Sequence, residues 1–348
     1  MTEHAVRFTA PGEVSLAEVE RSAPGPGEVA VETAVSGISP GTETLVYRGE
    51  VPDELPADSE LSTLEGDLSF PVEYGYAAAG RVVETGEAVD DDWLDRRVLA
   101  FHPHRTQFCA STDHVVALPG ELSTEESAIL PSVETATNLA LDAEPRVGER
   151  AVVSGAGALG LCPTASLAEV PLESLVVVEP IPARRERAIR LGADRAVTPG
   201  EAATLFDDEE PDGADLAVEV SGQPDALDDA IAAVGFDGRI VVGSWYGSKA
   251  CNLDLGGRFH RDRIDIVSSQ VSTIASELGG RWSKNRRLAT ALEQLEQLDT
   301  DAIITDRLPI HRAAEAFERI ESSPEDTLQV LLHHHSTTTT DGAGVDDV

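Results

Sequence analysis

Ala151-Val152-Val153-Ser154-Gly155-Ala156-Gly157-Ala158-Leu159-Gly160 is an apolar strand run that passes directly into a Gly-x-Gly-x-x-Gly turn. Each glycine has a separate physical task in such a turn. Gly155 permits the tight reversal, Gly157 lets the backbone approach a pyrophosphate, and Gly160 lets a helix pack closely on the strand. Ala156, Ala158 and Leu159 complete the turn and open the helix, whose free N–H groups and positive dipole end suit phosphate. The next apolar run, Leu175 to Val178, ends at Glu179, which lies 19 residues past Gly160. That matches the spacing of about 20 residues for an acid that accepts the ribose hydroxyls of a dinucleotide. An acid there repels a 2′-phosphate and so favours NAD over NADP. Arg184 and Arg185 follow closely and soften that repulsion, which keeps NADP possible. The plainer alternative is an ordinary turn followed by a solvated acid at a strand end.

The pattern around this turn is a regular alternation. Apolar runs at Leu216 to Val220 and Arg239 to Val242 are separated by helical stretches at Arg184 to Leu191 and Pro224 to Val234. Such alternation predicts a doubly wound, Rossmann-type parallel sheet with helices on both faces. Upstream the texture differs. Residues 5 to 9, 13 to 20 and 28 to 37 alternate between Pro/Gly turns, and strand-like runs recur at 80–83, 97–101 and 114–118. These predict short strands in an antiparallel or barrel-like domain. The stretch from Gly49 to Phe70 is acidic and reads as a surface excursion. Ser123, with Glu126 three residues on, carries a capping-box pattern that opens a helix. Downstream, Arg286 to Leu298 and Ala313 to Ile320 read as helices, and Ile303 to Leu308 and Thr327 to Leu332 as strands. Residues 335–348 read as a disordered acidic tail.

The chain has 348 residues, of which 41% are hydrophobic, enough for about two domains with ample cores. There are 63 acidic and 26 basic residues, giving a net charge of −37. Such a surface repels nucleic acid and anionic membranes. The acid is spread along the chain, which favours adaptation to high intracellular salt (a halophilic setting) over an acidic recruitment surface for a basic partner. No apolar run is long enough to cross a bilayer, and the first residues lack a secretory pattern, so a cytoplasmic protein is expected. Cys109, Cys162 and Cys251 are too few and too scattered for a disulfide framework.

Taken in order, several segments identify a resemblance. They are Ser36-Gly37-Ile38 with Gly41-Thr42-Glu43, Gly75-Tyr76-Ala77-Ala78-Ala79-Gly80-Arg81-Val82, Glu134-Thr135-Ala136, the glycine turn, Arg190-Leu191-Gly192-Ala193-Asp194, Glu219-Val220-Ser221-Gly222, and Asp237-Gly238-Arg239-Ile240-Val241-Val242-Gly243. The chain resembles the medium-chain dehydrogenase/reductase superfamily, the zinc-type alcohol-dehydrogenase-like enzymes. Ser36 to Glu43, Phe259 to Gln270 and Arg281-Trp282 resemble the bacteriochlorophyllide hydroxyethyl dehydrogenase-like group. The resemblance implies an α/β protein with a GroES-like β-barrel catalytic domain, residues 1–122 and 283–334, and a Rossmann domain, residues 123–282. It implies cofactor contacts from Thr135, Ser221, Gly243 and Ser244 besides the turn, a small-molecule substrate, and a homodimer.

The resemblance also exposes a departure. Zinc-dependent members place a cysteine before Gly-Thr-Asp and a histidine in Gly-His-Glu. Here Pro40 and Tyr76 hold those places, and the four-cysteine structural lobe is absent. Neither proline nor tyrosine replaces a thiolate and an imidazole, so no catalytic or structural zinc is expected. Without a metal, a hydrogen-bond donor must polarise the substrate oxygen. Thr42 matches the superfamily's proton-relay hydroxyl, Tyr76 points a phenol into the same cleft, and Glu43 orients either. Their plainer readings are a turn cap and a core-filling ring. In His102-Pro103-His104, either both are loop residues or one, preferably His104, faces the cleft and exchanges a proton with substrate. His260 and Arg261 read either as an anionic-substrate subsite or as salt-bridging residues at a subunit edge. The expected activity is hydride transfer between nicotinamide and an alcohol/carbonyl pair. The alternatives are a quinone/enone-type double-bond reductase and a non-catalytic dinucleotide-binding protein.

Overall fold

The computed structural model describes residues 3–52, 55–56, 66–202, 204–206 and 212–334. The tail 335–348 and much of the acidic stretch 49–70 lie outside the described residues. The first half opens with strands β1 (Glu3–Ala10), β2 (Glu13–Val19) and β3 (Glu28–Ile38), then helix α1 (Thr42–Arg48), then β4 (Ala78–Thr85), β5 (Arg97–Ala100), β6 (Gln107–Ser111) and β7 (Val115–Ala117). The hinge of this half is β3. One of its edges carries β4. The other is shared, since β6 pairs with Glu28 to Glu32 and the last strand of the chain pairs with Val35 to Ile38. A strand that bends from one partner to another is how a sheet curls into a barrel. It also explains why β3 is apolar on both faces, with Val29, Ala30, Val31 and Ile38 fully buried.

Helices α2 (Thr124–Ser127) and α3 (Leu130–Ala143) lead into the second half. The Ser123–Glu126 capping box is present, with both reciprocal hydrogen bonds. The single helix predicted from Ser123 is nevertheless two, because Pro131 has no N–H to give the preceding turn, and the chain restarts with that proline in its first turn. There follow β8 (Arg150–Ser154), α4 (Ala158–Ala168), β9 (Ser174–Val178), α5 (Pro182–Arg190), β10 (Arg195–Val197), α6 (Pro199–Ala202), β11 (Ala214–Glu219), α7 (Pro224–Ala233), β12 (Val234–Val242), α8 (Arg258–Arg261) and β13 (Asp265–Ser268). The six strands form one sheet in the order β10-β9-β8-β11-β12-β13, and every pair is parallel. Counted from β8 this is the order 3-2-1-4-5-6 of a Rossmann sheet, whose winding reverses between β8 and β11. Both faces of the sheet are covered, which is why its strands read as unbroken valine-rich runs.

The chain then returns to the barrel through α9 (Lys284–Leu295), β14 (Ile304–Pro309), α10 (Ala313–Ser322) and β15 (Gln329–His333). Ala313, Ala316, Phe317 and Ile320 fall on one face of α10 and are all buried. Phe317 meets Phe8 of β1 edge-on at 5.0 Å and stacks on Tyr47 of α1 at 5.2 Å. The architecture is therefore α/β, a GroES-like barrel joined to a Rossmann sheet. No helix among the described residues is long and apolar enough to cross a membrane.

Candidate active site at the carboxyl ends of the parallel strands

The glycine turn sits at the switch point between β8 and β11. Gly155 adopts φ +102°, and a Cβ there would lie 2.7 Å from Ser221 Cα, in the loop after β11. Both facts demand glycine. A Cβ on Gly160 would lie 2.1 Å from the Gly155 carbonyl oxygen. Gly157, by contrast, faces open space, and the nearest atom to a Cβ there is Arg184 Nη1 at 4.0 Å. The turn thus presents half-buried backbone beside a guanidinium. Arg184 is held by the Pro324 and Thr327 carbonyls, which accept from Nη2 at 2.6 and 3.3 Å. Its Nε is buried without a protein hydrogen-bond partner, and its Nη1 is the atom nearest the turn.

Glu179 is not a solvated strand-end acid. It is buried, and its carboxylate accepts from Ala156 N at 2.8 Å and Ile181 N at 3.0 Å. It therefore braces the turn from below, and each oxygen keeps a further acceptor site. A second carboxylate, unanticipated from the sequence, does the same after β11. Glu219 is fully buried and accepts from Ser221 N, from Ser221 Oγ and from Tyr246 Oη. Burial, then the Glu219 carboxylate, pushes the Tyr246 pKa far above the usual phenol range. Ser244 Oγ accepts from Gly222 N at 2.8 Å. Ser221 and Ser244 thus shape their loops, and Gly243 makes room for Leu139, whose Cδ2 would lie 2.8 Å from a Cβ. Thr135 Oγ1 donates back along α3 to the Pro131 carbonyl at 2.9 Å.

The second cluster is built on the barrel. Glu43, in the first turn of α1, is fully buried. Its Oε1 accepts from Ser39 N at 2.8 Å, and its Oε2 lies 2.8 Å from His104 Nε2. His104 Nδ1 lies 2.7 Å from Ser36 Oγ on β3. Ser36 Oγ in turn lies 2.8 Å from Nε2 of His334, just past β15. Gly75, at φ +135°, admits this imidazole, since a Cβ there would lie 2.7 Å from His104 Nε2. The Tyr76 hydroxyl lies near the side chains of Ser39 and Thr42. Burial, with Glu43 adding to it, pushes its pKa up to about 12. The phenol is thus a neutral O–H donor at any physiological pH.

Two expectations are corrected by this geometry. His104 does not face an open cleft: it is fully buried and reaches the site only through Glu43. His102 turns away, stacks on Phe108 at 4.1 Å and donates from Nδ1 to the Pro103 carbonyl. Burial pulls its pKa down to about 4. His260 and Arg261 lie exposed on α8, which precedes the amino end of β13. A parallel crossover must return to that end of the sheet, so they sit opposite the carboxyl-end turn. Their neighbours Arg258 and Arg263 make the ion pairs there, with Asp212, Asp262 and Asp237.

The two clusters meet. The loop after β12 packs on the end of α1, where Ser248 N donates to the Glu50 carbonyl at 2.9 Å. A Cβ on Gly247 would lie 2.2 Å from that same oxygen. This contact and the Arg184 bonds to Pro324 and Thr327 join the half that carries the turn to the half that carries Thr42 and Tyr76.

Comparison with known proteins agrees with this arrangement. The family model described as zinc-binding dehydrogenase matches residues 158–304. D-guloside 3-dehydrogenase of Escherichia coli K12 is 24% identical over 343 residues, covering 92% of this chain and 97% of that one. (R,R)-butanediol dehydrogenase of Bacillus subtilis 168 is 27% identical over 300 residues, covering 78% and 83%. The solved structure of an alcohol dehydrogenase from E. coli CFT073, complexed with NADH, shares the fold at a TM-score of 0.77 and 18% identity, covering 96% of this chain and 99% of that one. Along most of its length this chain is thus similar to dehydrogenases, and over residues 158–304 to the zinc-binding dehydrogenase family.

The resemblance sets Pro40 and Tyr76 against two positions that zinc-dependent members give to ligands. Pro40 offers only a carbonyl, which Thr44 Oγ1 already occupies. Glu43 and His104 are spent on each other. Among the described residues, no three His, Cys, Asp or Glu side chains are placed to hold a metal ion. This donor set does not fit a zinc ion. Ser36 and His334 escape a reading of the sequence, because 298 residues separate them and no local pattern joins them.

Proposed function

We propose that this protein is a nicotinamide-dependent dehydrogenase that interconverts an alcohol and a carbonyl, prefers NAD, and works without zinc at the reacting centre. The observation that carries the reading is the Thr42–Tyr76 hydroxyl pair, held beside the buried Glu43 where zinc-dependent members place ligands. The half-buried backbone at Gly157, with the amino end of α4, takes the pyrophosphate. Arg184 stands beside it, and Glu179 takes the ribose hydroxyls with its remaining acceptor sites. The bound nicotinamide supplies the hydride acceptor or donor. Tyr76 and Thr42 hold the substrate oxygen and stabilise the charge that develops on it as its proton leaves or returns. Glu43, fixed by Ser39 N and His104, keeps the pair oriented. The catalytic barrel is drawn from residues 1–122 and 283–334 and the cofactor domain from 123–282. Strand β13 is the outer edge of the sheet, with Val267 exposed, and offers the natural seam for a homodimer.

The test is turnover of a panel of alcohols, carbonyls and enones with NAD(H) and NADP(H), on wild type and Tyr76→Phe. We expect alcohol/carbonyl turnover with NAD(H), and a kcat lower by about 10²-fold in the variant with NADH binding unchanged. Reduction of enones alone, or an unaltered kcat in Tyr76→Phe, would overturn the reading.

A further inference from the structure

We propose that Lys249 is a specificity-determining residue that receives an anionic group, a carboxylate or a phosphate, on the substrate alcohol; this rests on the dehydrogenase reading above. Only two of the 26 basic residues are lysines, Lys249 and Lys284. Lys249 follows β12, at the carboxyl end of the parallel sheet, and is half-buried. Its Nζ donates at 3.0 Å to the Gly222 carbonyl, in the loop after β11. That loop is the one that meets the glycine turn, through Ser221 and Gly155. The Lys249 loop is also tied to the end of α1, where Ser248 N donates to the Glu50 carbonyl. The loop that carries the ammonium therefore touches both the neighbour of the cofactor turn and the helix that carries Thr42. With Glu179 on the ribose after β9 and Gly157 on the pyrophosphate, a dinucleotide lying across the switch point runs its nicotinamide half toward β11 and β12. Lys249 stands on that side of the sheet.

The ammonium lacks the partner that other cations of this half have. Arg190, Arg239 and Arg258 each hold a carboxylate, whereas among the described residues no Asp or Glu lies within ion-pair reach of Lys249. The Gly222 carbonyl takes one of its three N–H donors and brings no net charge. Two donors and a half-buried positive charge are left, and such a charge is screened less than one on the open surface. There is also room beside it. Gly222 adopts φ +69°, and a Cβ there would meet nothing within 4 Å. Trp245, on the same loop, is 36% exposed and offers an apolar face to the rest of a ligand. The nearby Tyr246 phenol already gives its proton to Glu219. A molecule with a net charge of −37 repels small anions as a whole, so one that enters the cleft needs a local cation to hold it. The plainer role of Lys249 is to staple the two loops. Glutamine separates the roles, because it keeps a donor for the Gly222 carbonyl and removes the charge.

Matched alcohols test the subsite: β-hydroxybutyrate against its amide, and glycerol phosphate against glycerol, each with NAD on wild type, Lys249→Gln and Lys249→Arg. We expect wild type to favour the charged member of at least one pair in kcat/KM, and the favoured pair tells carboxylate from phosphate. Lys249→Gln should lower kcat/KM for that anion by about tenfold to a hundredfold, the worth of one hydrogen bond to a charged group. Turnover of its neutral partner and NADH binding should stay unchanged, and Lys249→Arg should keep most of the preference. A wild type indifferent to charge, a preference that survives in Lys249→Gln, weaker NADH binding in that variant, or an equal loss for neutral and charged alcohols would overturn the proposal. A protein that turns over no alcohol of the panel overturns the dehydrogenase reading instead. Calorimetric titration with unreactive butyrate and butyramide, with and without NADH, then judges Lys249 alone. Tighter binding of butyrate that is lost in Lys249→Gln upholds the subsite, and equal binding of the two overturns it.

Discussion

His102 and His104 lie two residues apart, yet their surroundings give them opposite duties. His104 has a polar partner on each ring nitrogen, so its buried ring is part of a network. His102 has one carbonyl and an aromatic face, so burial favours its neutral form and its pKa falls to about 4. In the unfolded chain an imidazole titrates at about 6.5. The unfolded state therefore binds more protons between these values, and stability is lost as pH falls from about 6.5 toward 4, by about 1.4 kcal/mol per unit. His102→Gln keeps an N–H for the Pro103 carbonyl and removes the titration. We expect urea unfolding at pH 7 and pH 4.5 to show a drop of about 2–3 kcal/mol in wild type beyond that in the variant. Equal drops would contradict this account of His102. Gly75 belongs to the same story, for its missing side chain is the space that the His104 ring occupies.

At the scale of elements, α1 matters most, because it carries Thr42 and Glu43 while its far side rests on the ring cluster of Phe8, Tyr47 and Phe317. Phe317 is fully buried, and Phe317→Ala should cost about 3–5 kcal/mol in unfolding free energy. Because α1 loses its support, kcat should fall at temperatures where the variant is still folded, while NADH binding, carried by the other domain, holds. Loss of stability with unchanged kcat would show that α1 is positioned by other contacts. Strands β8, β9, β11 and β12 and helices α5 and α7 were legible in the sequence because each buried strand is an apolar run and each helix has its own periodicity, whereas the three-residue β10 and the one-turn α6 and α8 are too short to show a pattern. Strand β6 was not, since Gln107-Phe108-Cys109-Ala110-Ser111 has neither a clean alternation nor an apolar run. The site divided in the same way. The glycine turn and Glu179 are local patterns with a fixed spacing. The Glu43–His104–Ser36–His334 string and the Glu219–Tyr246 bond depend on pairings between distant segments, which no local spacing encodes. His260 and Arg261 misled because basic residues are scarce in this chain, but scarcity says nothing about which end of the sheet a crossover reaches.

At the scale of the whole molecule, the net charge of −37 opposes compaction through self-repulsion. Its surface ion pairs, such as Arg48–Glu321 and Arg190–Asp299, are worth little each in water. Salt shortens the reach of repulsion from about 10 Å at 0.1 M to about 3 Å at 1 M. The thermal midpoint should therefore climb by several degrees between 0.1 and 2 M KCl, and a flat or falling midpoint would contradict the screening argument. The two domains contribute unequal parts of the chemistry. The parallel sheet supplies a turn suited to a dinucleotide, and in the proposed reading the barrel supplies a hydroxyl pair backed by a buried carboxylate in place of a metal. That substitution is the central claim, and a zinc titration of chelator-treated protein tests it most directly, with NAD(H)-dependent alcohol/carbonyl turnover as the signal. We expect full turnover before any zinc is added and no gain as zinc is supplied. Turnover that appears only with zinc, and grows in proportion to the zinc bound, would contradict it.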